Sequence, residues 1–534
     1  MELVNLVIDG QEVQVPKDTT ILEAAKTVGI QIPHYCYHPG LSVVGSCRMC
    51  LVALEKQAKL QPSCATPVSE GMIVKTKTPE TLRNRQSVLE FLLANHPLDC
   101  PVCDQAGECE LQNYYMEHGL YNSRYDENKT KRKKAHPIGT YVILDQERCV
   151  LCTRCVRFTR EISKTSELGV IERGHRSEID VVPGFELANP YSGNVVDICP
   201  VGAMTDRDFR FKCRVWFLGS AQSICPGCSR GCNIEIHFNE RFNPRYHDQR
   251  VHRLKPRYNK EVNGRWICDE GRYGYHSIDA SDRLKFPALK RSGTFERISW
   301  EAAIREAARS LEKMTSIHGT EGVALLASPQ MTNEELFYLR RLFVDILKIG
   351  NIGFNIPFNG TVSSDDFLIT ADKNPNARGA GVILPQGDSE NLLRLCEEGR
   401  IHLLYIFQHD LMRGFNQNQV EAALGKVDCV IFQGSWNHST AALADILLPA
   451  AVYAEKAGTF TNVQGRVQQF HAAVPPIGES LPDLEIFSKL TAELGAQVNC
   501  TSAEQAFSEL GQKVAAFAGM TYQTLGESGQ LLKS

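Results

Sequence analysis

The sequence predicts a multidomain chain, α+β through its first half and α/β through its second. At 534 residues it is too long for one ordinary core. Sixteen of its nineteen cysteines precede residue 270, which concentrates any metal chemistry in that half. After Trp300, helical patterns alternate with short apolar runs at Val323 to Ala327, Ile401 to Phe407 and Val430 to Phe432, the pattern of βαβ units around a parallel sheet.

The chain opens with a hairpin. Leu3 to Ile8 and Glu12 to Val15 alternate at period two around Asp9-Gly10. Thr20 and Glu23 then form a capping box before Ile21, Leu22, Ala24, Ala25 and Val28, and Gly29 stops the helix. Hairpin, helix and cysteine-bearing loop in that order suggest a small ferredoxin-type domain over residues 1–80. Residues 81–140 read as helical, with Leu82, Val88, Leu89, Leu92 and Leu93 at helical intervals before a turn rich in Pro and Cys. The basic run Lys129, Lys131, Arg132, Lys133, Lys134 lacks aromatic interleaving and reads as a solvated linker or an acidic partner's docking surface. Further on, Thr332 and Glu335 form a second capping box.

Composition excludes several classes. Hydrophobic residues are 43% and charged residues 22%, as in an ordinary globular protein. A formal net charge of -4 gives no general attraction to nucleic acid or anionic lipid. The start shows neither a secretory signal nor an Arg-rich transit peptide, and no stretch is long and apolar enough for a membrane span; the expectation is an intracellular protein. In a reducing compartment so many cysteines indicate metal binding rather than disulfides.

The cysteines fall into four groups. Cys36, Cys47, Cys50 and Cys64 include a central pair on one tight loop, and Gly45 is expected to let the backbone approach sulfur. A [2Fe-2S] cluster on a β-grasp domain fits, with His34 and His38 as surplus neighbours; four buried thiols or zinc are the alternatives. The run HPLDCPVCDQAGEC supplies Cys100, Cys103 and Cys109, with His96 as the nearest fourth donor, for a [4Fe-4S] cluster or zinc. RCVLCTRC and DICP supply Cys149, Cys152, Cys155 and Cys199, most of a bacterial ferredoxin signature; Thr159 stands where a second cluster would need a cysteine, so one cubane is expected. CPGCSRGC and CDEG supply Cys225, Cys228, Cys232 and Cys268, a spacing open to zinc or [4Fe-4S], with the neighbouring groups favouring the latter. Cys213, Cys396, Cys429 and Cys500 remain as small buried hydrophobes.

In HYCYHPGLSVVGSCRMC, HPLDCPVCDQAGECELQ, RCVLCTRCVRFTRE and SGNVVDICPVGA the chain closely resembles the large iron-sulfur subunit of respiratory complex I, the NADH:quinone oxidoreductase chain related to the mitochondrial 75 kDa subunit. That resemblance implies a [2Fe-2S] centre, a His-ligated [4Fe-4S] centre and a further [4Fe-4S] centre on the main electron path. The fourth group is similar to an extra, off-path [4Fe-4S] cluster, although 35 residues separate Cys232 from Cys268, a longer gap than usual. ISWEAA, ADILLPAAVYAEKAGTFTNVQGRVQ and PDLEIFSKL resemble part of the molybdopterin oxidoreductase fold. The expected domains are residues 1–80, 81–140, 141–215, 216–280 and a truncated molybdopterin-oxidoreductase-like domain over 281–534, an empty scaffold without molybdopterin.

By resemblance the partners are other peripheral-arm subunits, namely a flavin- and NADH-binding subunit and quinone-proximal iron-sulfur subunits, on the cytoplasmic side of a bacterial inner membrane. The expected role is electron transfer without a catalytic residue or substrate site of its own. Gly379, Ala380 and Gly381 begin like a dinucleotide fingerprint, but Leu384 holds the third glycine position. The rival reading is the cluster-bearing alpha subunit of a molybdenum formate dehydrogenase.

Overall fold

The computed structural model describes residues 2–240, 249–355, 363–385, 387–496 and 502–533. Cys500 therefore lies outside the described residues. The chain divides into two compact units, residues 1–218 and 219–534.

The first unit begins with the expected hairpin. Asp9 and Gly10 take φ of 46° and 84°, as a two-residue type I′ turn demands, and join strand Leu3–Ile8 to Gln11–Pro16. Thr20 caps helix Ile21–Thr27 by accepting from the Glu23 N–H at 3.3 Å, while the Glu23 carboxylate is held by Lys26 and Tyr37. The sheet runs in the order Gln11–Pro16, Leu3–Ile8, Met72–Lys75, Leu51–Leu54, Gln61–Pro62, with Leu3–Ile8 parallel to Met72–Lys75. Ile21, Leu22, Ala24 and Ala25 pack on its inward side chains Leu6, Ile8, Val52 and Val74. This is a β-grasp arrangement, and the loop between helix and third strand carries Cys36, Cys47 and Cys50.

The helical pattern expected as far as residue 140 ends sooner. Helices span Pro79–Asn95 and Glu110–His118, and residues 119–135 form no regular element. Past Gly119 the sequence has no apolar period for a helix to bury. The basic run is exposed at Lys131, Lys133 and Lys134, and is anchored at three points. Lys129 donates to the carbonyls of Leu93 and Ala94, at 2.8 and 3.0 Å, completing the C-terminal end of the first of these helices. Arg132 binds the carbonyls of His175 and Ser177, and Lys134 pairs with Glu147 at 2.8 Å. The ferredoxin-like part of the unit consists of helix Arg154–Glu161, the hairpin Leu168–Ile171 with Glu178–Val181, and the small sheet Met204–Asp206, Val142–Leu144, His136–Pro137.

In the second unit a mixed seven-stranded sheet runs Thr294–Arg297, Ala288–Arg291, Ile446–Pro449, Cys429–Gly434, Leu403–Phe407, Val323–Leu326, Asn351–Gly353. Its last five strands are parallel, and four of them, Val323–Leu326, Leu403–Phe407, Cys429–Gly434 and Ile446–Pro449, are buried throughout, because apolar clusters cover both faces. The apolar runs seen in the sequence are its central strands. The second capping box forms in full: Glu335 N–H donates to Thr332 Oγ1 at 3.1 Å and Thr332 N–H to Glu335 Oε2 at 2.8 Å. The box is buried, and Glu335 also pairs with Lys456 at 2.7 Å, which in turn meets Asp483 at 2.8 Å. Gly379 lies inside helix Ala377–Ile383, where a Cβ would stand 2.2 Å from both Asn333 Oδ1 and Asn376 Oδ1. That glycine serves close packing. Among the described residues no helix is long and apolar enough to cross a membrane.

Because the cap at Thr332 is fully buried, Thr332→Ala is expected to cost about 1 to 2 kcal/mol. Calorimetry should register this as a lowered unfolding midpoint; equal midpoints would contradict the assigned role.

Candidate metal centres

The structure brings each of the four sequence-derived groups together, and no cysteine among the described residues is in a disulfide. In the first, Cys36 hydrogen-bonds Cys47 and Cys64, and Cys50 hydrogen-bonds Cys64. These contacts hold the Cys36 thiol well below its ordinary range and Cys50 down at about 7, and push Cys47 and Cys64 up. Gly45 and Arg48 both take left-handed φ, 61° and 56°, which curls the loop around the sulfurs. The backbone donor to Cys36 is the Cys47 N–H, and a Cβ at Gly45 would meet nothing within 4 Å. Gly45 is thus required for its φ rather than for close approach to sulfur. His34 Nδ1 bonds the Ile32 carbonyl and His38 Nδ1 accepts from the Gly40 N–H.

His96, Cys100, Cys103 and Cys109 line one cavity with Gln112 and Gly202. His96 ends helix Pro79–Asn95, Cys100 sits on the next single turn, and Cys109 precedes helix Glu110–His118. Burial, with Arg148 nearby, lowers the His96 pKa to about 4, so its imidazole is neutral at physiological pH and offers a lone pair. Burial likewise pushes the Cys103 and Cys109 thiols up. A Cβ on Gly202 would stand 2.5 Å from Cys103 Sγ, so only glycine fits there.

Cys149, Cys152, Cys155 and Cys199 line a second cavity with Ile179, Val201 and Met204. Leu151 and Thr153 adopt φ of 51° and 59°, turning the loop so that the Leu151 N–H reaches Cys149 Sγ at 3.4 Å. Burial pushes Cys152 up to about 12 and raises the other three. Thr159, in the position a second cluster would need, hydrogen-bonds the Val156 carbonyl.

Cys225, Cys228, Cys232 and Cys268 gather in the second unit, where Cys225 N–H donates to the Cys232 carbonyl at 2.8 Å. Burial and mutual proximity raise Cys225 and Cys232, and burial pushes Cys268 up to about 12. Cys268 caps helix Asp269–Tyr273, its Sγ accepting from the Gly271 N–H at 3.3 Å. Part of the long Cys232-to-Cys268 gap is the antiparallel pair Asn233–Asn239 and Val251–Pro256, whose ends meet through Arg257 N–H on the Asn233 carbonyl at 2.9 Å.

The thiols that burial pushes up in the second, third and fourth groups resist ionisation unless a cation binds them, whereas in the first group Cys36 and Cys50 are already poised as thiolates; both situations suit metal binding. Outside these groups, His318, His402 and Asp428 bring three possible ligand atoms within 4.8 Å of one another. His318, His402 and Asp428 were not evident in the sequence, and their geometry is poor for a metal. The two imidazoles stack, 3.5 Å between centroids and 10° from parallel, so their in-plane lone pairs do not converge.

Three further side chains that spacing did not reveal surround the first unit's groups. Arg148 is buried between Asp145 at 2.8 Å and Asp99 at 2.7 Å, beside Cys103 and His96. Arg154 donates to the Ile198 carbonyl at 3.1 Å. Arg157 donates to the carbonyls of Cys36 and Cys152. All three stand in the cysteine motif RCVLCTRCVRFTRE, which was the available signal. Gly202→Ala is expected to empty the His96 group and lower the metal content of the chain by metal analysis; unchanged metal content would show that the Cys103 side tolerates a Cβ.

Comparison with known proteins finds iron-sulfur and molybdopterin oxidoreductase families along the chain. Residues 1–79 match a 2Fe-2S iron-sulfur cluster binding domain, 85–124 the NADH-ubiquinone oxidoreductase-G iron-sulfur binding region, and 139–205 the ferredoxin-like domain of NADH-quinone oxidoreductase subunit 3. Residues 219–280 match the molybdopterin oxidoreductase Fe4S4 domain, and 283–374 with 347–493 the molybdopterin oxidoreductase family. The NADH-quinone oxidoreductase-G protein of Rickettsia felis is 30% identical, over 97% of this chain and 92% of that protein. The mitochondrial NADH-ubiquinone oxidoreductase 78 kDa subunit of Neurospora crassa is 30% identical over 93% of this chain and 81% of its own length. The NADH-quinone oxidoreductase-G protein of Streptomyces coelicolor is 38% identical over 68% of this chain and 42% of that protein. These relatives do not favour a formate dehydrogenase. The chain belongs to the NADH-quinone oxidoreductase-G family and is an iron-sulfur, electron-transfer subunit of complex I.

Proposed function

We propose that Cys36, Cys47, Cys50 and Cys64 hold a [2Fe-2S] cluster, and that [4Fe-4S] clusters are held by His96, Cys100, Cys103 and Cys109, by Cys149, Cys152, Cys155 and Cys199, and by Cys225, Cys228, Cys232 and Cys268. The observation that carries this reading is the gathering of disulfide-free cysteines, most of them buried, in four sets that each fall within a matched iron-sulfur domain. Clusters so held would supply one-electron carriers that need no proton or nucleophile from the chain.

The chain's own residues set order and environment. Arg157 ties the Cys36 loop to the Cys152 loop, and Pro200 ties the Cys199 loop to the second group by accepting from Glu110 N–H at 2.9 Å. Gly202, three residues past Cys199, lines the His96 cavity. The supported order through the first unit is first group, third group, second group. The fourth group is a side station in the other unit, docked by Ser229 and Arg230 onto the carbonyls of Asp372 and Phe367.

On this reading electrons enter from a flavin- and NADH-binding subunit and leave toward quinone-proximal iron-sulfur subunits. The chain then sits peripherally on the cytoplasmic side of a bacterial inner membrane and binds no nucleic acid. Residues 281–534 serve as a scaffold without molybdopterin. Low-temperature EPR of the reduced protein should give one [2Fe-2S] and three [4Fe-4S] signals, with about fourteen irons per chain. Stoichiometric molybdenum with formate oxidation would overturn the assignment.

His96→Cys replaces a neutral ligand by a thiolate and should lower the midpoint potential of that centre relative to the others. An unmoved midpoint in a spectroscopic redox titration would remove His96 from the ligand set.

A further inference from the structure

Arg157 is anchored on two cysteine groups at once. It lies on helix Arg154–Glu161 and is 4% exposed. Its Nη2 donates to the Cys36 carbonyl at 2.5 Å and to the Cys152 carbonyl at 3.2 Å, and its Nη1 donates to the Ser42 carbonyl. Cys36 and Arg157 are 121 residues apart, so this is a tertiary bond between the β-grasp and ferredoxin-like parts of one compact unit.

The charge is unusual in its surroundings. These three acceptors are all backbone carbonyls. The acidic side chain one turn further along, Glu161, accepts from Ser42 N–H at 2.9 Å and from Ser42 Oγ at 2.5 Å. Burial depresses the guanidinium pKa, yet arginine keeps its proton in proteins. A fixed cation thus contacts the loops of both groups, and a carboxylate does not cancel it at hydrogen-bond distance, in contrast to Arg148 between Asp99 and Asp145. The planar fork matters: a guanidinium serves carbonyls in different directions, whereas an ammonium is a point donor on a flexible stem.

We propose that Arg157 is a positioning residue for electron transfer, clamping the Cys36 and Cys149 groups at fixed separation and placing one buried positive charge beside both. The proposal rests on the cluster assignment above. In the step it serves, one electron leaves one centre and arrives at the other; no bond forms or breaks and no proton moves. A cation beside both centres stabilises the added electron on either, so it raises both potentials together and leaves the driving force between them nearly level.

The test uses the assembled complex with Arg157→Gln and Arg157→Lys, followed by EPR redox titration with the His96 centre as internal reference. Arg157→Gln should lower the midpoints of the Cys36 and Cys149 centres relative to that reference. Arg157→Lys, which keeps the charge but loses the fork, should leave the midpoints near their original values and weaken the magnetic interaction between the two reduced centres. Full signals with unmoved midpoints in Arg157→Gln would overturn the electrostatic role, and unchanged magnetic coupling in Arg157→Lys would overturn the clamp. If Arg157→Gln fails to assemble, the Lys variant alone decides the clamp. Unaltered protein lacking either signal would refute the cluster assignment instead.

Discussion

Burial of cysteine sulfur is the constraint on which the first unit depends. Tyr35, Cys36, Met49, Leu89, Leu111, Cys152, Val201 and Ala203 form one apolar cluster, with Cys47, Cys109, Cys149 and Cys199 packed against it. Members of three cysteine groups therefore share a single core. Such packing raises the cost of a bare thiolate and so couples ionisation of these groups to metal binding. It also means that a 218-residue unit with little regular structure between residues 119 and 135 is held together through its cysteine-bearing loops.

Buried arginines complete this arrangement. Arg148, Arg154 and Arg157 are each no more than 5% exposed, and each donates to groups next to the clustered cysteines or their loops. Arg148 is balanced by Asp99 and Asp145, so its field at the His96 group is partly cancelled. Arg157 meets carbonyl dipoles and retains its charge. Electrostatic environments around the first unit's groups accordingly differ although their side-chain chemistry is similar, a means of separating potentials without changing the ligands.

The second unit has the layers of an α/β domain, and several buried polar groups in it pair with one another. Glu335, Lys456 and Asp483 form a buried ionic trio, Arg283 pairs with Glu455 at 2.7 Å, and Asn376 Oδ1 accepts from the Thr461 N–H at 2.7 Å. Such networks hold strand ends and loops in register once every member is paired. A fold that matches the molybdopterin oxidoreductase family can also serve the supporting role proposed for it.

Local features were legible in the sequence. The hairpin at Asp9-Gly10, the caps at Thr20 and Thr332, and the buried strands follow from periodicity and turn chemistry, which act over a few residues. The cysteine groups were legible for the same reason, since a CxxC loop brings its sulfurs together by short-range geometry. Periodicity overextended the helix past Gly119, and local charge pattern could not show that Lys129 and Arg132 find acceptors 35 to 45 residues away. Cys213, Cys396 and Cys429 are buried as expected. Motif spacing was thus enough to say which residues gather in each group. Which groups are neighbours became visible only in three dimensions: Arg157 joins loops of the first and third groups, the segment from Cys199 to Gly202 reaches the second, and no local spacing encodes that adjacency.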